Sequence, residues 1–265
     1  IIFGDDKHPQ DQFVYTDLST IFPGYRFDPN GIDPKDYDPG VKIVSGKSIY
    51  RGEDRGEGGH KWARPGVYFH VGLFDVASMH PHSAIRLNIF GDKYTKVYED
   101  LVNVRIDIKH HNHEKAETMF GGKLKKWLDN PDISDKKLAN ALKTAINSVY
   151  GLTSAHFDNL FKDPRNVDNI VAKYGALFMI NLKHELWDMG YTVVHISTDS
   201  IKVANIDKRA YDFIMAYGKK YGFDFEFEAQ YERMCLVNDA VYIAKVEKED
   251  GHPVDPYWTA TGKEF

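Results

Sequence analysis

Apolar positions along this chain fall into runs whose spacing predicts strands alternating with long helices. Between Val67 and Phe74, residues Val67, Phe69, Val71 and Leu73 alternate with Tyr68, His70, Gly72 and Phe74. Both sets are largely apolar, which predicts a strand covered on both faces. Pro81 disfavours helix at His80, so the strand is expected to leave its sheet through a tight turn around Ser78. Tyr94 to Met119 reads as a helix carrying Tyr98, Leu101, Val102, Ile106 and Ile108, broken at Gly121 and Gly122. A second helix is expected from an N-cap at Ser134 to Gly151, and a third from Asn166 to Met189, stopped by Gly190. The two helices on either side of Gly121 form a natural antiparallel hairpin.

Farther on the period changes. The β-branched runs Thr192 to Ile196 and Ile201 to Ile206 flank Ser197-Thr198-Asp199-Ser200, which reads as a hairpin with Asp199 in its turn. Asp207 caps a helix to Tyr221, ended by Gly222. Phe223, Phe225 and Phe227 alternate with Asp224, Glu226 and Glu228 as a half-buried strand, and MCLVNDAVYIAKV follows as another hairpin turning near Asn238 and Asp239. Residues 1–66 are irregular: Pro9, Pro23, Pro29, Pro34 and Pro39 predict an extended lead-in with one hairpin near Val41 to Tyr50. Within RGEDRGEGGH, Gly52, Gly56, Gly58 and Gly59 can let backbone amides approach a phosphate, although glycine-rich turns usually hold no ligand.

A chain of 265 residues that is 42% hydrophobic and 14% aromatic can bury a large core, in one large or two modest domains. No apolar run is long enough to span a bilayer, and no charged-then-apolar leader opens the chain. The first residue is Ile1, which suggests a chain processed or cut from something longer. The single cysteine, Cys235, cannot form an internal disulfide; it reads as core in a protein of a reducing compartment. A net charge of −5 argues against a uniformly basic nucleic-acid binder, but a local basic surface or divalent cations can still recruit phosphates.

Asp75 interrupts the end of an otherwise apolar strand, where a carboxylate is costly to ionise unless cations or several donors meet it. It is either the cap of the next helix or part of a site. Asp199 is a second carboxylate at a tight bend on a strand. If the two strands neighbour each other, the carboxylates repel unless cations bridge them, and paired divalent ions suit in-line attack at phosphorus. Arg105 and Lys109, four apart on one helix, and Lys143 on the next can hold phosphate oxygens. Lys143, Asn147, Tyr150 and Gly151 fall on one side of their helix. His110, His111, His113 and Glu114 invite a metal reading, but no second ligand group at fixed spacing accompanies them, and an exposed polar helix end is the stronger reading.

Three of these segments carry a resemblance to a known family. DVASMHP at 75–81 resembles the Asp-x-x-Ser-Leu-Tyr-Pro motif of family B DNA polymerases, KTAINSVYG at 143–151 matches their Lys-x-x-x-Asn-Ser-x-Tyr-Gly fingers motif at each specified position, and STDS at 197–200 resembles their Asp-Thr-Asp-Ser turn. GEGG at 56–59 is similar to their Tyr-x-Gly-Gly element, without its tyrosine. The likeness runs from Gly52 onward and is nearest to bacteriophage and prophage enzymes.

The resemblance implies an α+β fold: a polymerase palm with a mainly antiparallel sheet flanked by helices, and a two-helix fingers insertion. Residues 1–66 would be an extended lead-in packing on the palm, 67–92 and 164–250 the palm, 93–163 the fingers, and 251–265 the start of a truncated thumb, with thumb and exonuclease absent. It implies that Asp75 and Asp199 bind two Mg2+ ions, for which Mn2+ can substitute, with the Val76 carbonyl as a further ligand. Ser78, Met79, His80, Arg105, Lys109, Lys143, Asn147 and Tyr150 would bind the deoxynucleoside triphosphate. Gly58, Gly59, Gly151, Thr198 and Tyr242 would contact primer-template DNA. The implied reaction is attack of a primer 3′-hydroxyl on the α-phosphate, releasing pyrophosphate, in the cytoplasm of a bacterial host. Missing exonuclease and thumb portions or other replication proteins are the implied partners; no membrane is. Without a thumb, primer-template would be held poorly.

The departures are specific. His80 stands where the family has the tyrosine that excludes ribonucleotides. Ser197 replaces the first aspartate of the turn motif, which is expected to weaken metal binding at most. Asp239-Ala240-Val241-Tyr242 stands in place of Lys-Lys-Arg-Tyr, keeping the tyrosine and losing the basic contacts. Two other readings keep part of this pattern: a two-metal nuclease, which needs Asp75 and Asp199 but not the 143–151 helix, and a silent polymerase-like module that binds DNA or a protein.

Overall fold

A computed structural model describes residues 1–28, 37–38, 41–42, 47–55 and 58–262. Five short strands come first: β1 (Arg26–Asp28), β2 (Tyr37–Asp38), β3 (Val41–Lys42), β4 (Lys47–Tyr50) and β5 (Glu53–Arg55). The expected hairpin near Val41 to Tyr50 is not how these pair. β4 lies between β1 and β5, and its hairpin partner is β5, across a turn at Arg51 and Gly52; β3 pairs with β2. Positive φ at both turn residues, 48° and 76°, favours the tight connection, and Gly52 adopts it without the backbone strain a side chain would bring.

The chain divides into two compact units, one of residues 1–17 and 80–171, the other of residues 18–79 and 172–265. The expected lead-in is therefore split between them. In the helical unit Phe3 packs on Phe161 and edge-on to Phe90, with ring centroids 4.7 and 5.9 Å away. In the other unit Phe22 stacks on Tyr221 at 5.7 Å, and the Tyr50 hydroxyl donates to Asn181 Oδ1 at 2.6 Å. Aromatic burial of this kind offsets the ordering of a segment with little regular structure.

The helical unit contains most of α1 (Met79–Arg86), all of α2 (Gly91–Lys109), α3 (Glu114–Thr118), α4 (Lys125–Leu128) and α5 (Asp135–Thr153). The helix expected from Tyr94 to Met119 is interrupted. α2 stops at Lys109, His111 takes φ +60°, and a new short helix starts at Glu114. The histidines there bind a carboxylate instead of continuing the helix: His111 Nδ1 and His113 Nε2 lie 2.6 and 2.8 Å from Asp135 Oδ2. That ties the end of α2 to the start of α5. Ser134 caps α5 by accepting from the Lys137 amide at 3.4 Å, and Gly151 lies inside the helix, which continues two residues beyond the expected end. Ser134→Ala is expected to cost about 0.5–1 kcal/mol, read as a small loss in a denaturant midpoint. Leu138, Leu142, Ile146 and Val149 are buried, and the Tyr98 hydroxyl donates to the Ile146 carbonyl at 3.1 Å, locking α2 on α5.

The other unit is built on a sheet with strand order β12-β11-β10-β7-β9-β8-β6, antiparallel at every pairing. Its strands are β6 (Lys61–Ala63), β7 (Gly66–Val76), β8 (Thr192–Ser197), β9 (Ser200–Ala204), β10 (Phe225–Leu236), β11 (Tyr242–Glu249) and β12 (His252–Thr261). The half-buried strand and the first arm of the hairpin expected after it are one strand, β10, bent by a bulge at Glu228. Residues 252–261, where a thumb was expected to begin, form the edge strand of this same sheet.

Helices α6 (Ile170–Asp188) and α7 (Lys208–Lys220) cover one sheet face. Phe74 meets Tyr211 and Phe225, and Phe178 of α6 meets Phe225, with centroids 5.8, 6.3 and 5.9 Å apart. Asn166 Oδ1 accepts from the Ile170 amide, and Asp207 caps α7 by accepting from the Ala210 amide at 2.8 Å. By strand alternation Leu73 and Asp75 point to the opposite face. That face carries a satellite core of Val71, Val194, Tyr231, Met234, Leu236, Ala244 and Val246.

The expected covering of β7 on both faces holds only for its second half. His70 takes φ +47°, and before it Val67 and Phe69 are 62% and 52% exposed. A left-handed residue kinks the strand, so the apolar alternation upstream of it does not report burial. The result is an α+β fold with an antiparallel sheet flanked by helices. No helix among the described residues is long and apolar enough to cross a membrane.

Candidate active site

Asp75, near the end of β7, lies beside Asp199 in the turn that leads into β9. β7 pairs with β9 so that Asp75 lies opposite Ser200, and the Val76 amide donates to the Asp199 carbonyl at 2.8 Å. On its other side β7 pairs with β10, and Asp75 lies opposite Glu226. In an antiparallel ladder the N–H and C=O of one residue point the same way, so the Val76 carbonyl also faces the Asp199 turn. The sequence pattern found the two aspartates but missed Glu226 and Glu228. Their signal was present in the alternation with Phe225 and Phe227, which puts acids on the face away from the aromatic core.

The electrostatics follow from this grouping. Burial, and then the charges of Asp199, Glu228 and Glu226, push the Asp75 carboxyl up to about 7, against the opposing pull of Lys202. Glu228 is raised by burial and by Glu226 and Asp250. Such a group of acids is short of positive charge. Among the described residues no set of three or more His, Cys, Asp or Glu is arranged as a metal cage. Two carboxylates and a main-chain carbonyl are nonetheless hard oxygen donors, the type that suits Mg2+ with water completing the sphere. The residues therefore fit the implied ion.

Two turns beside the aspartates carry strain. Ser78 takes φ +52° between β7 and α1, and Thr198 takes φ +54° as the first of two residues linking β8 to β9. Left-handed backbone costs a β-branched residue about 1–2 kcal/mol and persists only where its surroundings hold it. Thr198 is held: its amide donates to the His60 carbonyl at 2.8 Å, and the Asp199 amide donates to the Ser197 carbonyl at 2.8 Å. Gly59 leaves room for it, since a Cβ there would lie 2.5 Å from Thr198 Cγ2. Gly58 adjoins it on the same link to β6. The Gly56 and Glu57 part of GEGG lies outside the described residues.

The expected tight exit from β7 is present, but His80 and Pro81 lie within α1. Pro81 occupies its first turn, where a missing amide leaves no helical bond unmade. Met79 is buried, and Gly175 of α6 allows its sulfur close approach, with a Cβ at that glycine 2.6 Å from Met79 Sδ.

Within the helical unit, the His80 ring stacks on Tyr150 with centroids 4.3 Å apart and planes 11° from parallel. Lys143, Asn147 and Gly151 are exposed on the same side of α5, away from the buried Leu142 and Ile146. On α2, Lys109 is exposed and Arg105 partly buried, its Nε buried with no hydrogen-bond partner among the described residues. A guanidinium nitrogen in that condition has donors to offer an anion. Tyr242, partly buried at the start of β11, lies over Lys202, whose ammonium is 5.1 Å from its ring centroid.

No protein-family model matches this chain, and no curated protein does. Among solved structures, the chain is similar to the family B DNA polymerase from the hyperthermophilic archaeon Pyrobaculum calidifontis, at a TM-score of 0.49 and 17% sequence identity. The match covers 76% of this chain and 28% of that polymerase.

Proposed function

We propose that this chain is the nucleotidyl-transfer portion of a DNA polymerase of the family B type, with the sheet unit as palm and the α2–α5 hairpin as fingers. The observation that supports it most is that Asp75 on β7 lies beside Asp199 in the turn leading into β9, where burial and then the neighbouring acids hold the Asp75 carboxyl near 7. Asp75, Asp199 and the Val76 carbonyl would hold Mg2+. When bound, the ions would lower the pKa of the attacking hydroxyl and offset charge on the phosphates. The protein residues do the rest. Burial of the β7 end restricts water around Asp75. The held Thr198 turn fixes the direction of Asp199. On the helical unit, taken by itself, Arg105, Lys109 and Lys143 carry donors that suit phosphate oxygens, and His80 and Tyr150 form a flat stacked surface suited to a sugar or base. Base selection is left to pairing with the template.

The test is incubation of the chain with primer-template, one complementary deoxynucleoside triphosphate and Mg2+. Extension by one nucleotide that stops on chelation is expected. Release of nucleotides from the DNA would instead establish the two-metal nuclease, and neither product would leave a binding module. Lys143→Ala is expected to raise KM for the deoxynucleotide about tenfold, the worth of one charge-assisted contact.

A further inference from the structure

Two buried polar side chains on the carboxylate face have no part in the reaction above. Lys202, on β9 three residues past Asp199, is 4% exposed, and His195, its cross-strand partner on β8, is 3% exposed. Lys202 Nζ lies 3.1 Å from His195 Nδ1. An ammonium can only donate, so Nδ1 accepts and the ring proton sits on Nε2. That nitrogen donates to the main-chain carbonyl of Asp239 at 2.9 Å. Asp239 belongs to the turn, residues 237–241, that joins β10 to β11 and is exposed at 237–240. The same ammonium lies over the ring of Tyr242, which follows the turn and whose centroid is 6.2 Å from that of His195.

The other end of this chain of contacts reaches the acids. Lys202 pairs with Leu73 and Ser200 pairs with Asp75, so Lys202 and Asp75 are diagonal neighbours on one face. A buried ammonium is costly, and an apolar residue of similar size would usually stabilise the sheet more. Its placement is explained by what it holds. We propose that Lys202 and His195 are positioning residues: a buried relay that fixes the β10–β11 turn and Tyr242 over the carboxylate face, and so sets where a nucleic-acid strand end lies beside Asp75 and Asp199. The inference rests on the polymerase reading for its ligand, but not for the relay itself.

The experiment compares wild type, His195→Leu and His195→Gln in the full chain. Glutamine can accept from Lys202 through its oxygen and donate to the Asp239 carbonyl through its nitrogen; leucine can do neither. His195→Leu is expected to speed hydrogen exchange at the amides of residues 237–241 about tenfold, and to weaken metal-free primer-template binding, read by fluorescence anisotropy, by about the same factor. KM for primer-template should rise with it while kcat stays within about twofold. His195→Gln should restore exchange and binding. If His195→Leu does not fold, Lys202→Met, which removes the donor and keeps the buried chain, is expected to loosen the same amides. Wild-type exchange and binding in His195→Leu, or a glutamine variant no better than leucine, would overturn the relay. A wild-type chain that neither binds nor extends primer-template would overturn the polymerase reading, and the exchange comparison would still decide the relay.

Discussion

Asp75→Asn is expected to make the metal-free protein more stable above pH 7 and to stop nucleotide incorporation. Burial, then Asp199, Glu228 and Glu226, hold the folded-state carboxyl at about 7, against an ordinary value of 3.8. The folded chain therefore binds this proton more tightly than the unfolded chain. The stability this supplies is complete below pH 3.8 and is lost as the pH climbs through about 7. A carboxyl raised from 3.8 to about 7 corresponds to about 4 kcal/mol, and partial solvation of the site cuts this to about 2 kcal/mol. Asparagine keeps the shape without the charge, so chemical denaturation at pH 5 and pH 8 should differ less in the variant than in wild type. Mg2+ should raise the melting temperature of wild type and leave the variant nearly unchanged. Loss of about 4 kcal/mol of transition-state stabilisation corresponds to a rate fall of about 10³-fold. Near-wild-type incorporation by the variant would remove Asp75 from the site, and an unchanged pH dependence of stability would remove the charge argument.

The same residue shows what the sequence exposes and what it hides. An aspartate ending an apolar run is visible as a pattern, as is an aspartate in the turn of a β-branched hairpin, and the register of β7 against β9 brings both together. Long elements were legible where period and cap agreed: Ser134 opens α5 and Asp207 opens α7. What stayed hidden depends on distant partners. The break after Lys109 comes from two histidines finding Asp135, and the exposure of Val67 and Phe69 from a left-handed His70, neither of which hydropathy encodes. The splitting of the first 66 residues between two units rests on aromatic contacts far along the chain, such as Phe3 with Phe161 and Phe22 with Tyr221. Lys202 was the least legible. In IKVA its charge reads as one polar position on a half-buried strand, whereas its place under the carboxylate face appears only once β8 and β9 are paired.

Lys183→Ala is expected to cost about 3 kcal/mol of stability and, in protein that is still folded, to slow catalysis. Lys183 is buried on α6, its side chain 1% exposed, and its Nζ donates to Glu53 Oε1 at 2.6 Å. The ammonium also lies beside a pair of indoles whose centroids are 5.5 Å apart, 5.1 Å from that of Trp62 and 5.0 Å from that of Trp187. Removing one partner of a buried pair costs about 3–5 kcal/mol, because the other charge is left in a poor solvent; Glu53, 20% exposed, places this pair at the low end. The cationic contact to the two rings is lost as well. Replacing both charges, Lys183→Met with Glu53→Gln, should recover most of the loss, which a packing defect at Lys183 alone would not do. The catalytic consequence follows the chain from Glu53 to the Asp199 turn. His60, whose ring nitrogen lies 4.0 Å from Glu53 Oε2, offers its carbonyl to the Thr198 amide, and Gly59 abuts the Thr198 side chain. Loosening that strand releases a left-handed residue that nothing in its own preferences would keep there. The rate at a temperature well below both melting points should fall in Lys183→Ala and return in the double variant, while a melting temperature equal to wild type in the single variant would show that the ion pair does not carry the segment.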